Sequence, residues 1–282
     1  MDWLGVHFIT ELPQAGQVVL HCTHNPVLVL LAYLVACAAS FATLDMAERV
    51  SHAERPASQR LWRWVGACCL AGGIWAMHFI AMLAFEAPLQ IHYDLPLTLL
   101  SLLIALVAAW LAMNTLSHAH MPLWRYGVAS IWIGLGIAAM HYVGMAAMRS
   151  SASLYYDPLL MALSVLVAIA CSLAALLLSR HLREGSGMFH QLLKYASSLV
   201  LGAAIVLMHF TGIWAMTLVL PAGSLPAPAT SDGHLQLGLT LSAIVLLIIG
   251  SGISAALADK KLQHKERDLR RVNALLSQLD QA

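Results

Sequence analysis

Three triplets stand out in the sequence: Met77-His78-Phe79, Met140-His141-Tyr142 and Met208-His209-Phe210. With 13 Met and 14 His among 282 residues, random order yields fewer than one Met-His pair, so three such pairs each followed by an aromatic are not chance. Each triplet lies in a long apolar run, where an imidazole is costly unless it faces the interior of a bundle and finds a partner. Imidazole is a common metal ligand and thioether a soft one. Met82 and Met145 follow their histidines by four residues and so share a helical face with them. Met148 and Met216 follow theirs by seven, while Ile213 breaks the pattern in the third copy. Met77, Met140 and Met208 belong to the same donor set but precede the histidines, pointing about 100° away on a helix of 3.6 residues per turn. His24, in the stretch His21-Cys22-Thr23-His24 before the first apolar run, is placed to pass an ion inward or to complete the site.

Imidazole with thioether suits Cu(I) above other ions. Zinc favours Cys, His and carboxylate, and no carboxylate accompanies the histidines. Haem, which accepts His and Met axially, is the alternative. A hydrolytic membrane enzyme is disfavoured for want of a neighbouring general base.

These residues must be positioned by membrane-spanning helices. Apolar residues make up 60% of the chain, charged residues 10%, and mean hydropathy is +0.76, against about 25% charged in a soluble domain. An ordinary soluble enzyme is excluded. The net charge of +1 and the scattered basic residues give no support to nucleic-acid binding. Four of the five cysteines lie inside apolar runs, so no structural disulfide is expected.

Runs of about 20 apolar residues predict seven transmembrane helices near 26–44, 62–86, 95–116, 125–148, 158–179, 195–219 and 237–257. Alternating the loops places 14 Lys and Arg on one side, among them Arg49, Arg63, Arg125, Arg180 and Lys194, and only Arg149 on the other. The positive-inside rule then puts the N-terminus outside and the C-terminus in the cytoplasm, and the triplets near the outer face. The expected fold is an all-α polytopic membrane protein. It divides into an extracytoplasmic segment 1–25, a seven-helix domain 26–257 and a cytoplasmic amphipathic helix 258–282. In that last helix Leu262, Leu269, Val272, Leu276 and Leu279 form a seam suited to pairing with a second copy.

The chain also repeats. His24-Asn25-Pro26, Tyr93-Asp94-Leu95-Pro96 and Tyr156-Asp157-Pro158 open the first, third and fifth spans, and the following span of each pair carries the triplet. The unit is a two-helix hairpin used three times in the same orientation, with the seventh span closing the set.

The triplets, their spacing and the seven spans resemble the MHYT domain, a bacterial integral-membrane sensor module, over about residues 20–257. The family pattern of Met, His, aromatic and small residue stands here as Met77-His78-Phe79-Ile80, Met140-His141-Tyr142-Val143 and Met208-His209-Phe210-Thr211. The resemblance implies copper bound near the outer face and sensing of oxygen, carbon monoxide, nitric oxide or redox state. It also implies residence in the bacterial inner membrane among lipids, and output through a cyclic-di-GMP protein. The chain itself is expected not to be an enzyme, catalysis belonging to a partner or a further domain.

Overall fold

The structure is a computed structural model describing residues 7–8, 18–118, 121–182 and 188–220, with isolated helical positions between 241 and 272. Its elements run β1 (His7–Phe8), β2 (Val18–Val19), β3 (Thr23–His24), α1 (Pro26–His52), α2 (Pro56–Ala84), β4 (Phe85–Glu86), β5 (His92–Tyr93), α3 (Leu95–Leu116), α4 (Leu123–Ala146), β6 (Met148–Arg149), β7 (Ser153–Tyr156), α5 (Pro158–His181), α6 (Met188–Trp214) and β8 (Met216–Leu220). Among the described residues, six helices are long and apolar enough to cross a membrane. The shortest has 22 residues, about 33 Å at 1.5 Å per residue, against a hydrocarbon core of about 30 Å. Leu30, Leu103, Val107, Leu163, Leu166 and Val200 stand exposed on the outside of the bundle, an apolar surface suited to lipid. The chain is a multi-pass, mostly helical membrane protein.

The odd-numbered helices all start in the same way. Asn25 Oδ1 accepts from the amides of Val27 and Leu28, Asp94 Oδ1 from Leu97, and Asp157 Oδ1 from Leu159 and Leu160. A proline follows each cap within the first two helical positions, where its missing N–H costs nothing. The helices then form a closed ring in which each packs on its neighbours in sequence and α6 returns to α1. Within the first two hairpins the helices cross on glycine: a Cβ on Gly73 would strike Ala39, and one on Gly136 would strike Ala108. Between hairpins, Gly134 meets Ile169 of α5 and Gly202 meets Cys37 of α1.

The helical bundle agrees with the expected all-α polytopic fold, and at one end of the ring short strands join the helices. Three antiparallel clamps form, β3 with β4, β5 with β6, and β7 with β8. Each ties the segment entering an odd helix to the segment leaving the even helix of its hairpin. The amides of Asn25, Asp94 and Asp157 donate to the carbonyls of Ala84, Ala147 and Ala215, each at 2.8 Å. The third clamp extends into a four-stranded sheet in the order β1-β7-β8-β2. These strands shorten three predicted spans: α2 ends at Ala84, α4 at Ala146 and α6 at Trp214. The residues beyond are apolar enough to read as helix, but their backbone groups pair sideways.

The opposite end carries the described basic residues of the bundle other than Arg149. Lys194, almost fully buried, bonds Asp45 at 2.7 Å and Glu48 at 2.8 Å, and Arg49 bonds Asp45 at 3.0 Å. This network closes the seam between α6 and α1. The corresponding contact between α2 and α3 is Arg63 to Asn114, 3.2 Å. Most of the predicted span 237–257 lies outside the described residues, although positions 241, 245, 250, 252–254 and 257 are helical. Leu262, Leu276 and Leu279 of the predicted tail seam also lie outside them, and Leu269 and Val272 are exposed.

Candidate metal centre

The three triplet histidines sit on α2, α4 and α6, five or six residues before each helix ends at the strand side. That is about 8–9 Å inside the helix ends. The ring of hairpins turns each toward the pseudo-threefold axis, and all three are completely buried. Their ring centroids are 5.0–5.1 Å apart, with planes 79–89° to one another. His78 Nδ1 lies 3.1 Å from His209 Nδ1 and 3.3 Å from His141 Nδ1. One potential ligand atom from each histidine lies within 4.8 Å of the others.

Each Nδ1 of a neutral ring is either a donor or an acceptor, so without an ion one N–H on His78 Nδ1 would have to be shared between the lone pairs of His209 and His141. A cation at that point would instead take all three lone pairs. Three nitrogens about 2.0–2.1 Å from one ion at near-tetrahedral angles lie about 3.3–3.4 Å apart, close to the spacings seen. The Nε2 atoms of all three rings are buried without a hydrogen-bond partner among the described residues. Those atoms lie on the far side of the rings, and it is the Nδ1 spacing that fits a three-coordinate nitrogen site.

Glycine fixes how the rings pack. A Cβ on Gly144 would collide with Nε2 of His78, and one on Gly212 with Nε2 of His141. Each glycine lies three residues after the histidine of its own triplet and faces the histidine of the preceding hairpin, so the hairpins interlock around the axis. Ala81 holds the third equivalent position. Sequence reading missed Gly144 and Gly212; their shared offset from His141 and His209 is the signal that marks them.

The triplet aromatics continue the arrangement outward. Phe79, Tyr142 and Phe210 each stand edge-on to their own histidine at 4.9–5.3 Å. Each then packs against the residue that precedes the next odd helix: Phe79 on Tyr93, Tyr142 on Tyr156, and Phe210 on His24. Tyr142 also bonds Ser164 at 2.6 Å. His24 thus occupies a tyrosine position. Burial holds its imidazole below the usual pKa, against the attraction of Glu86.

The predicted sulfur donors divide. Met82, Met145 and Met148 gather in one buried cluster at the strand end, with Met216 packed against it and Ile213 inside it. Met82 and Met145 lie on helix, whereas Met148 and Met216 lie on β6 and β8. The expected helical stacking of those two above the histidines is corrected accordingly. Met77, Met140 and Met208 are buried in three different clusters between helices. Trp132 and Trp214, near the triplets in the chain, are exposed on the bundle surface, while Trp75 donates to Ser101 at 3.1 Å.

Residues 72–129 and 134–191 match the sequence model of the MHYT family, described as a bacterial signalling protein N-terminal repeat. The two segments contain His78 and His141; the geometry adds His209. The chain is 48% identical over all of its length to the cyclic di-GMP phosphodiesterase NbdA of Pseudomonas aeruginosa, covering 36% of that protein. It is 38% identical over 91% of its length to the bifunctional diguanylate cyclase/cyclic di-GMP phosphodiesterase MucR of the same organism, covering 38% of it. It is 28% identical over 88% of its length to the signaling protein YkoW of Bacillus subtilis, covering 31% of it. The chain therefore spans about a third of the length of these relatives. No solved structure matches it.

Proposed function

We propose that this chain, an MHYT-family membrane protein, is a sensor module in which His78, His141 and His209 hold one copper ion and report a diatomic gas or redox state to a cytoplasmic output. The observation that supports the reading is the convergence of three completely buried histidines, with His78 Nδ1 3.1 and 3.3 Å from Nδ1 of His209 and His141. Copper bound there would supply soft, redox-active chemistry and an open coordination position. The thioethers of Met82, Met145 and Met148, gathered on the strand side, favour Cu(I) over a hard cation. Haem is disfavoured, because rings with centroids 5.0–5.1 Å apart enclose room for an ion and not for a macrocycle.

In this reading the strand end faces outward in the bacterial inner membrane and the basic end faces the cytoplasm, as the positive-inside rule requires. The protein's own contribution is to exclude water, to orient three rings from three hairpins, and to make their spacing depend on how the hairpins pack. A change at the centre then shifts hairpins against one another, and the chain after the bundle, suited to pair with a second copy, carries the shift onward. The names of NbdA and MucR support an output that makes or breaks cyclic di-GMP.

The test is metal content of protein purified in lipid nanodiscs and exposed to Cu(I). One copper per chain is expected, falling to background in His78→Ala, His141→Ala and His209→Ala but not in His190→Ala. Disulfide cross-linking through Leu269→Cys in membranes should differ between copper-loaded, metal-free and carbon monoxide-treated samples. Full copper retention in the triple histidine variant would overturn the metal centre. Identical cross-linking in all three samples would overturn the sensor.

A further inference from the structure

Beneath the triad, on the side away from the strands, the ring is not filled. A cavity of about 90 Å³ lies among the helices, all six contributing to its wall and α5 the most. Its strand-side limit is Met208, the residue before His209 in the chain, and it extends toward the basic end along Ala168, Cys171, Ser172, Ala175 and Ser179 of α5. The eleven helical steps from Ala168 to Ser179 cover about 16 Å.

The cause of the gap is legible in the crossings. The first two hairpins close on Gly73 against Ala39 and Gly136 against Ala108. The third has Cys171 against Ala204 at the corresponding place, with the thiol 3.7 Å from the Ala204 carbonyl. Two larger residues hold α5 and α6 apart, and the small side chains of α5 leave the space between them open.

The wall does not suit water. Thr43 and Ser172 face the cavity but donate their hydroxyl protons along their own helices, to Ala39 and Ala168. A buried water needs two to four polar partners, and an apolar cavity of about 150 Å³ elsewhere is known to stay dry and take up xenon. Approach from the strand end is closed by three clamps and by the buried cluster of Met82, Met145, Met148 and Tyr156.

We propose that this cavity is a binding site for a small apolar guest, of the size of xenon or a diatomic gas, and that such a guest reaches the histidine triad from the hydrocarbon side. Its role in sensing rests on the function proposed above; the binding site itself does not. Hydrocarbon dissolves such molecules readily, so the membrane is the reservoir and the cavity the last stop before the triad.

The test uses dissolved xenon as the probe, read by xenon-129 nuclear magnetic resonance on the full chain in nanodiscs. A saturable shift relative to empty nanodiscs is expected. Ser172→Leu and Ala175→Leu, which fill the space, should abolish it, and Leu176→Ala, which enlarges it, should strengthen it. All three should keep wild-type copper content. In the copper-loaded protein, carbon monoxide rebinding after photolysis should be slower in the filled variants than in wild type. Absence of a saturable shift in wild type, or a shift unchanged in every variant, overturns the cavity site even if copper binds. A xenon shift with no copper binding leaves the cavity standing and removes the sensor reading instead.

Discussion

The imidazole of His24 stands edge-on to Phe210, with ring centroids 5.3 Å apart. Tyr93 makes the same contact with Phe79, and Tyr156 with Tyr142, at the other two junctions between hairpins. His24 is thereby placed as the third member of an aromatic set that roofs the triad, one ring outside the converging nitrogens.

This relationship gives the first prediction. His24→Tyr restores the residue type of the other two hairpins, so it should fold and keep full copper content, measured by elemental analysis. His24→Ala should keep the metal too but lower thermal stability, since the rings of Phe85 and Phe210 lose their partner. Loss of copper in His24→Tyr would show that His24 is a ligand.

The glycines behind the triad should be intolerant. Gly144→Ala and Gly212→Ala push a methyl group into the rings of His78 and His141. Copper affinity should fall by about 10–100-fold, as for displaced supports of metal ligands. Gly127→Ala, also on α4 but with open space around it, should instead raise stability by about 0.5–1 kcal/mol through helix propensity. Competition titration with a Cu(I) chelator separates the two classes.

At the other end, Lys194→Met should destabilise the bundle. The lysine is almost fully buried, but Asp45 and Glu48 retain some solvent and Asp45 keeps Arg49. The cost should therefore be about 2 kcal/mol, below the 3–5 kcal/mol of a wholly buried pair. Adding Asp45→Leu and Glu48→Gln should recover part of it, because the stranded carboxylates are then removed. Unfolding in detergent micelles measures both, and a Lys194→Met protein of wild-type stability would show that this seam is not structural.

The caps offer a milder test. Asp157→Ala removes an acceptor from the amides of Leu159 and Leu160 and should cost about 1 kcal/mol. Asp157→Asn should be near neutral, since the amide oxygen accepts the same bonds. Thermal melts of the two variants should differ by several degrees.

The starts of the odd helices were readable because cap and proline are local chemistry: Asn25-Pro26, Asp94 before Pro96 and Asp157-Pro158 lead directly into α1, α3 and α5. The three histidines were readable because repetition and depth act together. The strands were not, since strands of two to five residues leave no periodic trace and their partners lie from some 60 to about 200 residues away. That is why Met148 and Met216 were read as helical. Which nitrogen of each histidine turns to the axis, and the cavity made by Cys171 against Ala204, depend on packing between helices and have no signature along the chain.

The triad lies on an axis to which each hairpin contributes one histidine. Three separate copies of a two-helix chain would build the same centre, whereas one copy alone could supply only a third of it. Joining the copies end to end frees them from having to be identical. The seams at the basic end record that freedom: Lys194 with Asp45 in one, Arg63 with Asn114 in the next, and Tyr126 beneath Arg180 in the third. A single covalent trimer can thus keep a symmetric heart while giving each of its edges a different stiffness, which a true homotrimer cannot do.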